Sequence, residues 1–463
     1  MKKRILVTIS FSFSVRYLVR TGMLAKLQDF AIPVIAITWK QDDLIAELEA
    51  EGFEVYLIEP PSLSDSYINI RRKIDIWFKY FRLKSISTKI QETYLRKYQK
   101  SKKSLLSNLS SYYNQLKFRL PGVSRKMLIK EHLLLKQEIG FHKMNQKMMD
   151  LDIDAVFTVT PFHRQEDLLL RVCKNLGKKM ITAILSFDNI TKRGWIPVEY
   201  DVYMVWNKFN AAELQRIYPE YSKAMVYITG APQFDFYYQD DFVLPKNIWM
   251  AENGINEITE KIILYAGGPE VLLPNETQYV RAIAEALKDD PGLNKTILLF
   301  RCHPVDKIER WKNALADFDN VRFEATWTGA EKLTDANIAM DDVRRLCSTL
   351  AYTDVHINFC STMTVDGSAF RKPQIGPYYD DIDKKNEKHL RDLYKQEHFI
   401  PIIETGGLAL AQSKDELIHF IRKALKDPES FLKNTDSIVR EIITYTDGNS
   451  TARVVDIIRN EVR

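Results

Sequence analysis

The chain has 463 residues, of which 45% are hydrophobic and 27% charged, with 17 Gly and 17 Pro. It is too long for one hydrophobic core, and too apolar and too poor in glycine and proline to be disordered, collagen-like or a turn-dense all-β protein. The balance of 66 basic against 61 acidic residues, +5, excludes a strongly polyanionic or polycationic chain but names no partner.

In chain order, the apolar run Ile5–Ile9 is shorter than the roughly 7 to 15 residues of a secretory h-region and reads as a strand. Further β-rich runs follow at Pro33–Thr38, Phe53–Ile58, Ala155–Thr160, Met180–Ser186, Val202–Trp206 and Met225–Thr229. A second series covers Lys261–Ala266, Thr296–Arg301, Val321–Thr326, Val355–Cys360 and Ile400–Ile403. Longer helical patterns separate these runs, which is the signature of parallel sheets covered by helices. The expected fold class is α/β, two Rossmann-like domains with a cleft between them. Their boundaries are read as 1–235 for the N-terminal domain, 236–258 for a linker, 259–435 for the C-terminal domain and 436–463 for a helix packing back on the first. No run of about 18 apolar residues occurs, so a spanning helix is excluded and a cytoplasmic protein is expected, peripheral at most at the inner face of the plasma membrane. The four cysteines, Cys173, Cys302, Cys347 and Cys360, form no C-x-x-C pair and are expected as free thiols.

The charge is unevenly spread. Residues 71–136 hold 18 Lys or Arg and 3 Asp or Glu, a net of +15, and the remainder nets 48 − 58 = −10. Ile70, Ile74, Trp77 and Phe81 follow helical spacing there, and Ile90, Tyr94 and Tyr98 continue it, so about 66–136 reads as a basic helical insertion in the N-terminal domain. Two readings stand: a solvated charged face, or a surface for anionic lipid or a phosphate-bearing acceptor. No nucleic-acid-binding module accompanies the charge.

Three loops of the second half suit a phosphorylated ligand. Leu264-Tyr-Ala-Gly-Gly-Pro269 ends a strand in Gly267 and Gly268, where backbone amides can approach an anion. Leu298-Leu-Phe-Arg-Cys-His-Pro304 sets Arg301 and His303 at a strand end, with Pro304 placed to start a helix. Val355-His-Ile-Asn-Phe-Cys-Ser-Thr-Met-Thr-Val-Asp366 puts Ser361 and Thr362 at a helix start, followed by Asp366, although Ser361 also fits a plain N-cap with Asp366 solvated. Neither a Walker loop nor G-x-G-x-x-G is present.

With its Arg-x-His-Pro strand end and its later Ser-Thr, acid and Lys-Pro, the chain resembles glycosyltransferases of the GT-B fold. It is similar to the polymer-forming CDP-glycerol glycerophosphotransferases and to the capsule sialyl- and Kdo-type transferases over about Ile262 to Pro373. The resemblance implies that His303 contacts the donor phosphate, with Ser361 and Thr362 beside it. It also implies a metal-independent, inverting transfer with no cofactor beyond a UDP- or CMP/CDP-linked donor. The Asp/Glu-Asp/Glu-Gly motif of sialyltransferases has no counterpart, which counts against a sialyl donor.

Such a transfer needs a base near the acceptor hydroxyl. Asp188 in Ile184-Leu-Ser-Phe-Asp-Asn-Ile-Thr-Lys-Arg-Gly194 is the first candidate and His163 in Val159-Thr-Pro-Phe-His-Arg164 the alternate. Arg164, Asn189 and Lys192 are the candidate acceptor contacts. No spacing of histidines makes a metal site, and Asp380, Asp381 and Asp383 read as a solvated loop. The function expected is glycosyl transfer from a nucleotide-activated donor to a surface-glycan or lipid-linked acceptor. Glycerophosphotransfer from CDP-glycerol, a UDP-N-acetylglucosamine 2-epimerase-like reaction and a non-catalytic membrane-surface scaffold are the alternatives.

Overall fold

The computed structural model describes residues 2–87, 90, 118, 120, 122–270, 272–304, 306–324, 337–380 and 387–463. They form two units. One takes the described residues up to Thr229 other than Ile90, together with Thr451–Arg463, and the other takes Gly230–Ser450.

In the first unit β1 (Lys3–Ile9), β2 (Ala31–Ile37), β3 (Glu54–Leu57), β4 (Ala155–Thr158), β5 (Lys179–Ala183), β6 (Val202–Val205) and β7 (Met225–Ile228) form one sheet in the order β3-β2-β1-β4-β5-β6-β7. In the second, β8 (Lys261–Ala266), β9 (Thr296–Arg301), β10 (Val321–Phe323), β11 (Val355–Asn358), β12 (Gln374–Pro377) and β13 (Leu408–Ala411) take the order β10-β9-β8-β11-β12-β13. Every pairing is parallel. Helices cover both faces, so the central strands are near-continuous apolar runs such as Ile5-Leu-Val in β1, each residue buried.

Two expectations are corrected, and one strand has no counterpart among the expected runs. Ile400–Ile403 is the start of helix Ile400–Glu404, with Pro401 in its first turn where no amide is needed, and the strand comes later, as β13 beyond Gly406 and Gly407. Strand β12, Gln374-Ile-Gly-Pro377, is fully buried yet carries no strand-like composition. Residues 236–258 are not a loose linker: helix Lys246–Glu252 buries Trp249 against Ile255, Ile262 and Leu299 inside the second unit. At the other end of the chain, Val454, Val455, Ile458 and Val462 pack in the first unit's core with β1 and β2. Thr326 lies outside the described residues.

Of the basic stretch, helices Asp65–Trp77 and Val123–Gln137 are described, whereas Tyr94, Tyr98 and residues 91–117 generally lie outside the described part. These two helices are fastened by charge as well as by apolar contacts. Arg171 Nη1 donates to Glu131 at 2.7 Å and its Nε to Asp167 at 2.6 Å, while Arg71 reaches Asp167 at 2.6 Å and Tyr67 donates to Glu131 at 2.8 Å. Trp195 lies under both guanidiniums, 4.6 Å from Arg71 and 5.3 Å from Arg171. Arg71, counted in the basic excess, is therefore spent inside the fold. Removing one member of a buried ion cluster strands its partners in low dielectric. Arg171→Met should cost about 3–5 kcal/mol in urea unfolding, whereas the exposed Lys73→Met should cost nearly nothing.

Candidate functional site

In the second unit β8 lies between β9 and β11, with Ala266 in register with Arg301 and with Asn358. The three loops that begin at Gly267, Cys302 and Phe359 therefore leave one edge side by side. The winding reverses here: β9 and β10 run out on one flank of β8, β11 to β13 on the other. This is the switch point at which open α/β sheets hold ligands.

The first loop is tightly committed. Gly267 N–H donates to the Arg301 carbonyl at 3.0 Å, and Gly268 N–H to the Glu276 carboxyl at 2.9 and 3.1 Å. Both amides are thus engaged within the protein, which corrects the expectation that they reach a phosphate. Packing requires the glycines instead: a Cβ on Gly267 would stand 2.8 Å from the Phe300 ring, and one on Gly268 2.4 Å from Leu273. Glu276, which the sequence did not mark, is buried, and burial pushes its carboxyl up to about 8 despite the Gly268 amide and the Tyr265 hydroxyl.

In the second loop Arg301 Nη1 donates to buried Glu324 at 2.5 Å, and Glu324 also accepts from Thr349 at 2.6 Å, so this guanidinium is an internal strut more than a free phosphate ligand. The carbonyl of half-buried His303 accepts the Asp306 amide at 2.8 Å. Asp306 in turn accepts Trp311 Nε1–H at 2.9 Å and the Lys307 amide at 2.9 Å, which closes the turn onto helix Ile308–Ala314. Pro304 sits in that turn and does not start the helix.

In the third loop Asn358 Oδ1 accepts Ser361 N–H at 3.2 Å and the Thr364 hydroxyl at 2.8 Å. Ser361 Oγ caps Met363 N–H at 3.2 Å, and Cys360 holds φ 46°, a left-handed conformation unusual for a side chain. Thr362 is exposed. Asp366 is neither solvated nor open: it is buried and accepts the Tyr237 hydroxyl. Asp381 and Asp383 lie outside the described residues, and among the described ones no His, Cys, Asp or Glu group is placed to hold a metal. All four cysteines are free thiols.

In the first unit the winding reverses between β1 and β4. The loop after β4 carries His163, the N-cap residue of helix Arg164–Asn175. Its ring stacks on Phe11 with centroids 5.5 Å apart and planes 3° from parallel, and its buried Nδ1 has no hydrogen-bond partner among the described residues. Burial, helped by Arg193, pushes the imidazole down to about 4, so it is neutral at pH 7. Arg164 is turned to the surface and pairs with Asp75. The loop after β5 gathers the other candidates: buried Asp188 accepts from Asn189 Nδ2 at 2.9 Å and from Lys192 Nζ at 3.2 Å. The two loops adjoin, since a Cβ on Gly194 would lie 3.7 Å from the Phe162 carbonyl.

A family model described as CDP-Glycerol:Poly(glycerophosphate) glycerophosphotransferase matches residues 173–460, more than half of the chain. No curated protein matches the sequence. Among solved structures the fold is similar to that of the S. aureus MnaA-UDP co-structure, at 11% identity over 99% of this chain and 96% of that one with a TM-score of 0.54. It is similar to a UDP-GlcNAc 2-epimerase from Neisseria meningitidis bound to UDP-GlcNAc, at 10% identity over 99% and 100%, TM-score 0.53. A glycosyltransferase from Rickettsia africae matches at 12% identity over 100% and 98%, TM-score 0.52. At such identities the likeness is one of fold, the two Rossmann-like halves of the GT-B class.

Glu276 makes stability depend on pH. Unfolded, its carboxyl titrates near 4.5, and folded near 8. The stability it contributes is complete below about pH 4.5 and is lost progressively up to about pH 8, because over that window only the folded chain keeps the proton. In urea titrations Glu276→Gln should gain on the parent chain as the pH is raised from about 5 to about 8.

Proposed function

Because this chain belongs to the CDP-Glycerol:Poly(glycerophosphate) glycerophosphotransferase family, we propose that it transfers glycerol phosphate from CDP-glycerol to a hydroxyl of a surface polymer or lipid-linked acceptor. That it is a transferase of the GT-B fold acting on nucleotide-activated groups follows from the family and the fold. The family match carries the choice of glycerol phosphate over a sugar, since the epimerase and glycosyltransferase likenesses extend to fold alone. The two chemistries differ in the bond broken. In glycerophosphotransfer the acceptor oxygen attacks the glycerol-bearing phosphorus and CMP leaves; in glycosyl transfer it attacks the anomeric carbon and a nucleoside phosphate or diphosphate leaves.

On this reading the second unit binds the donor through the turns after β8, β9 and β11. His303 and the hydroxyls of Ser361 and Thr362 supply hydrogen bonds to phosphate oxygens that gain charge in the transition state. The Ser361 cap supports this, since its oxygen accepts from Met363 and leaves the O–H to donate. The first unit binds the acceptor. Asp188 takes the hydroxyl proton, its carboxylate aimed by Asn189 and Lys192, while neutral His163 orients the acceptor. Incubated with CDP-glycerol and a poly(glycerophosphate) primer, the protein should release CMP and lengthen the primer. Release of UDP from a UDP-sugar, with no CMP from CDP-glycerol, would restore the glycosyl reading. Asp188→Asn should lower kcat by roughly 10² to 10⁴ while a CDP-glycerol thermal shift persists.

A specific feature also favours docking on an anionic leaflet. Helix Val123–Gln137 exposes Ile129 (52%) and Leu133 (56%), flanked by the exposed cations Arg125, Lys126, Lys130 and Lys136. No helix among the described residues is long and apolar enough to span a bilayer. Each cation near an anionic surface is worth about 1 kcal/mol, and the two apolar side chains add burial at the interface. Ile129→Ser with Leu133→Ser should therefore reduce recovery in flotation with anionic vesicles, and neutral vesicles should recover little of either protein.

A further inference from the structure

Glu166 lies in the first turn of helix Arg164–Asn175 and is 0% exposed. Its Oε2 accepts the hydroxyls of Thr8 at 2.9 Å and Thr158 at 2.5 Å, its Oε1 accepts that of Thr160, and the Ser10 hydroxyl also bonds to the carboxylate. Ser10 and Thr160 are themselves 3.0 Å apart. Four hydroxyls match the roughly four lone-pair sites of a carboxylate. Burial raises the pKa of this carboxyl and the hydroxyl bonds oppose that rise, as a charge buried so completely is tolerated only where it is hydrogen-bonded.

The shell has a definite place. Thr8 and Ser10 belong to the end of β1, Thr158 and Thr160 to the end of β4, so one carboxylate ties together the two strands between which the winding reverses. The tie reaches both rings of the Phe11–His163 stack. Ser10 immediately precedes Phe11, and the Thr160 carbonyl accepts the His163 amide at 2.9 Å. Glu166's own amide returns to the His163 carbonyl at 3.1 Å. Since Nδ1 of His163 has no partner among the described residues, the ring's attitude depends on the stack and on the anchorage of these two turns.

We propose that Glu166 is a positioning residue, whose carboxylate sets the spacing of Phe11 and His163 and thereby the orientation of the imidazole toward the acceptor hydroxyl. The assignment rests on the acceptor-side role given to His163 above. Its test reads the ring directly, in the full-length chain, by NMR titration of histidine labelled at Cε1, with the His163 signal identified from His163→Gln. Glu166→Gln keeps the volume but replaces half of the acceptor set with an N–H₂ donor. Thr160→Val removes one hydroxyl, and Thr160→Ser restores it.

In Glu166→Gln and in Thr160→Val the His163 midpoint should rise from about 4 toward the ordinary value near 6.5 as the ring loosens from Phe11, with Arg193 the neighbouring charge opposing it. Thr160→Ser should titrate like the parent chain. The KM for acceptor should rise roughly 10- to 100-fold in the first two variants, with the KM for donor unchanged. A parental titration in folded Glu166→Gln and Thr160→Val overturns the proposal whatever the kinetics show. If Glu166→Gln does not fold, Thr160→Val against Thr160→Ser decides it. Absence of any transfer by the parent chain would sink the functional reading, and the titration would still decide the role of Glu166.

Discussion

Parallel strands wound outward from a first strand impose one constraint on everything else in this molecule. Only between β1 and β4, and between β8 and β11, do neighbouring loops depart in opposite directions. A ligand can approach the strand ends there without an overlying crossover. Most of the residues proposed for the chemistry fall at those two places, His303, Ser361 and Thr362 around β8 and His163 with the Glu166 shell around β1 and β4, while Asp188 lies one strand further out, after β5. Helix Arg164–Asn175 follows β4 and so brings an acid from beyond one strand back to the ends of two.

Most strands were legible because a strand buried on both faces reads as an uninterrupted apolar run, as β1, β8 and β9 do. β12 was not, since Gln374-Ile-Gly-Pro377 owes its place to β11 and β13 on either side. Gly376 is required there because a Cβ would meet Tyr394 Oη at 2.6 Å, a contact no local pattern announces. Ile400–Ile403 misled for the opposite reason: a short β-branched run looks the same whether it is a strand or a helical turn that buries one side chain, here Ile402, and only Pro401 separates the two.

The site was legible by position and much less so by partner. Strand ends located Gly267, Arg301, His303 and Ser361 correctly on one edge. What those residues bond to was hidden, because Glu276, Glu324, Asp306 and Glu166 look like surface acids when read singly. Their burial becomes visible only when the fold delivers an arginine, an indole N–H, an amide or a set of hydroxyls to each. Asp366 shows the same effect, being taken by Tyr237 from 129 positions away.

This pattern of occupancy decides which groups remain to meet an anion. Amides of Gly267, Gly268 and Ser361 are committed within the protein, as is Arg301 Nη1. On the proposed donor reading, an oxyanion arriving at β8 finds these three amides taken, unlike those of a P-loop cradle, and meets side-chain donors. Side-chain donors can turn, so a site built on them would recognise a phosphate less by a fixed fit than by charge and hydroxyl geometry that adjusts as the bond to the leaving group lengthens. That demands rigidity from the supports, and the supports are the buried acids: Glu324 behind Arg301, Asp306 behind the His303 turn, Glu276 behind Gly268. Hydrogen bonds of this kind strengthen in a dry interior, where a half-satisfied carboxylate would be costly. The same low dielectric that makes each acid expensive to bury makes its partners hard to displace.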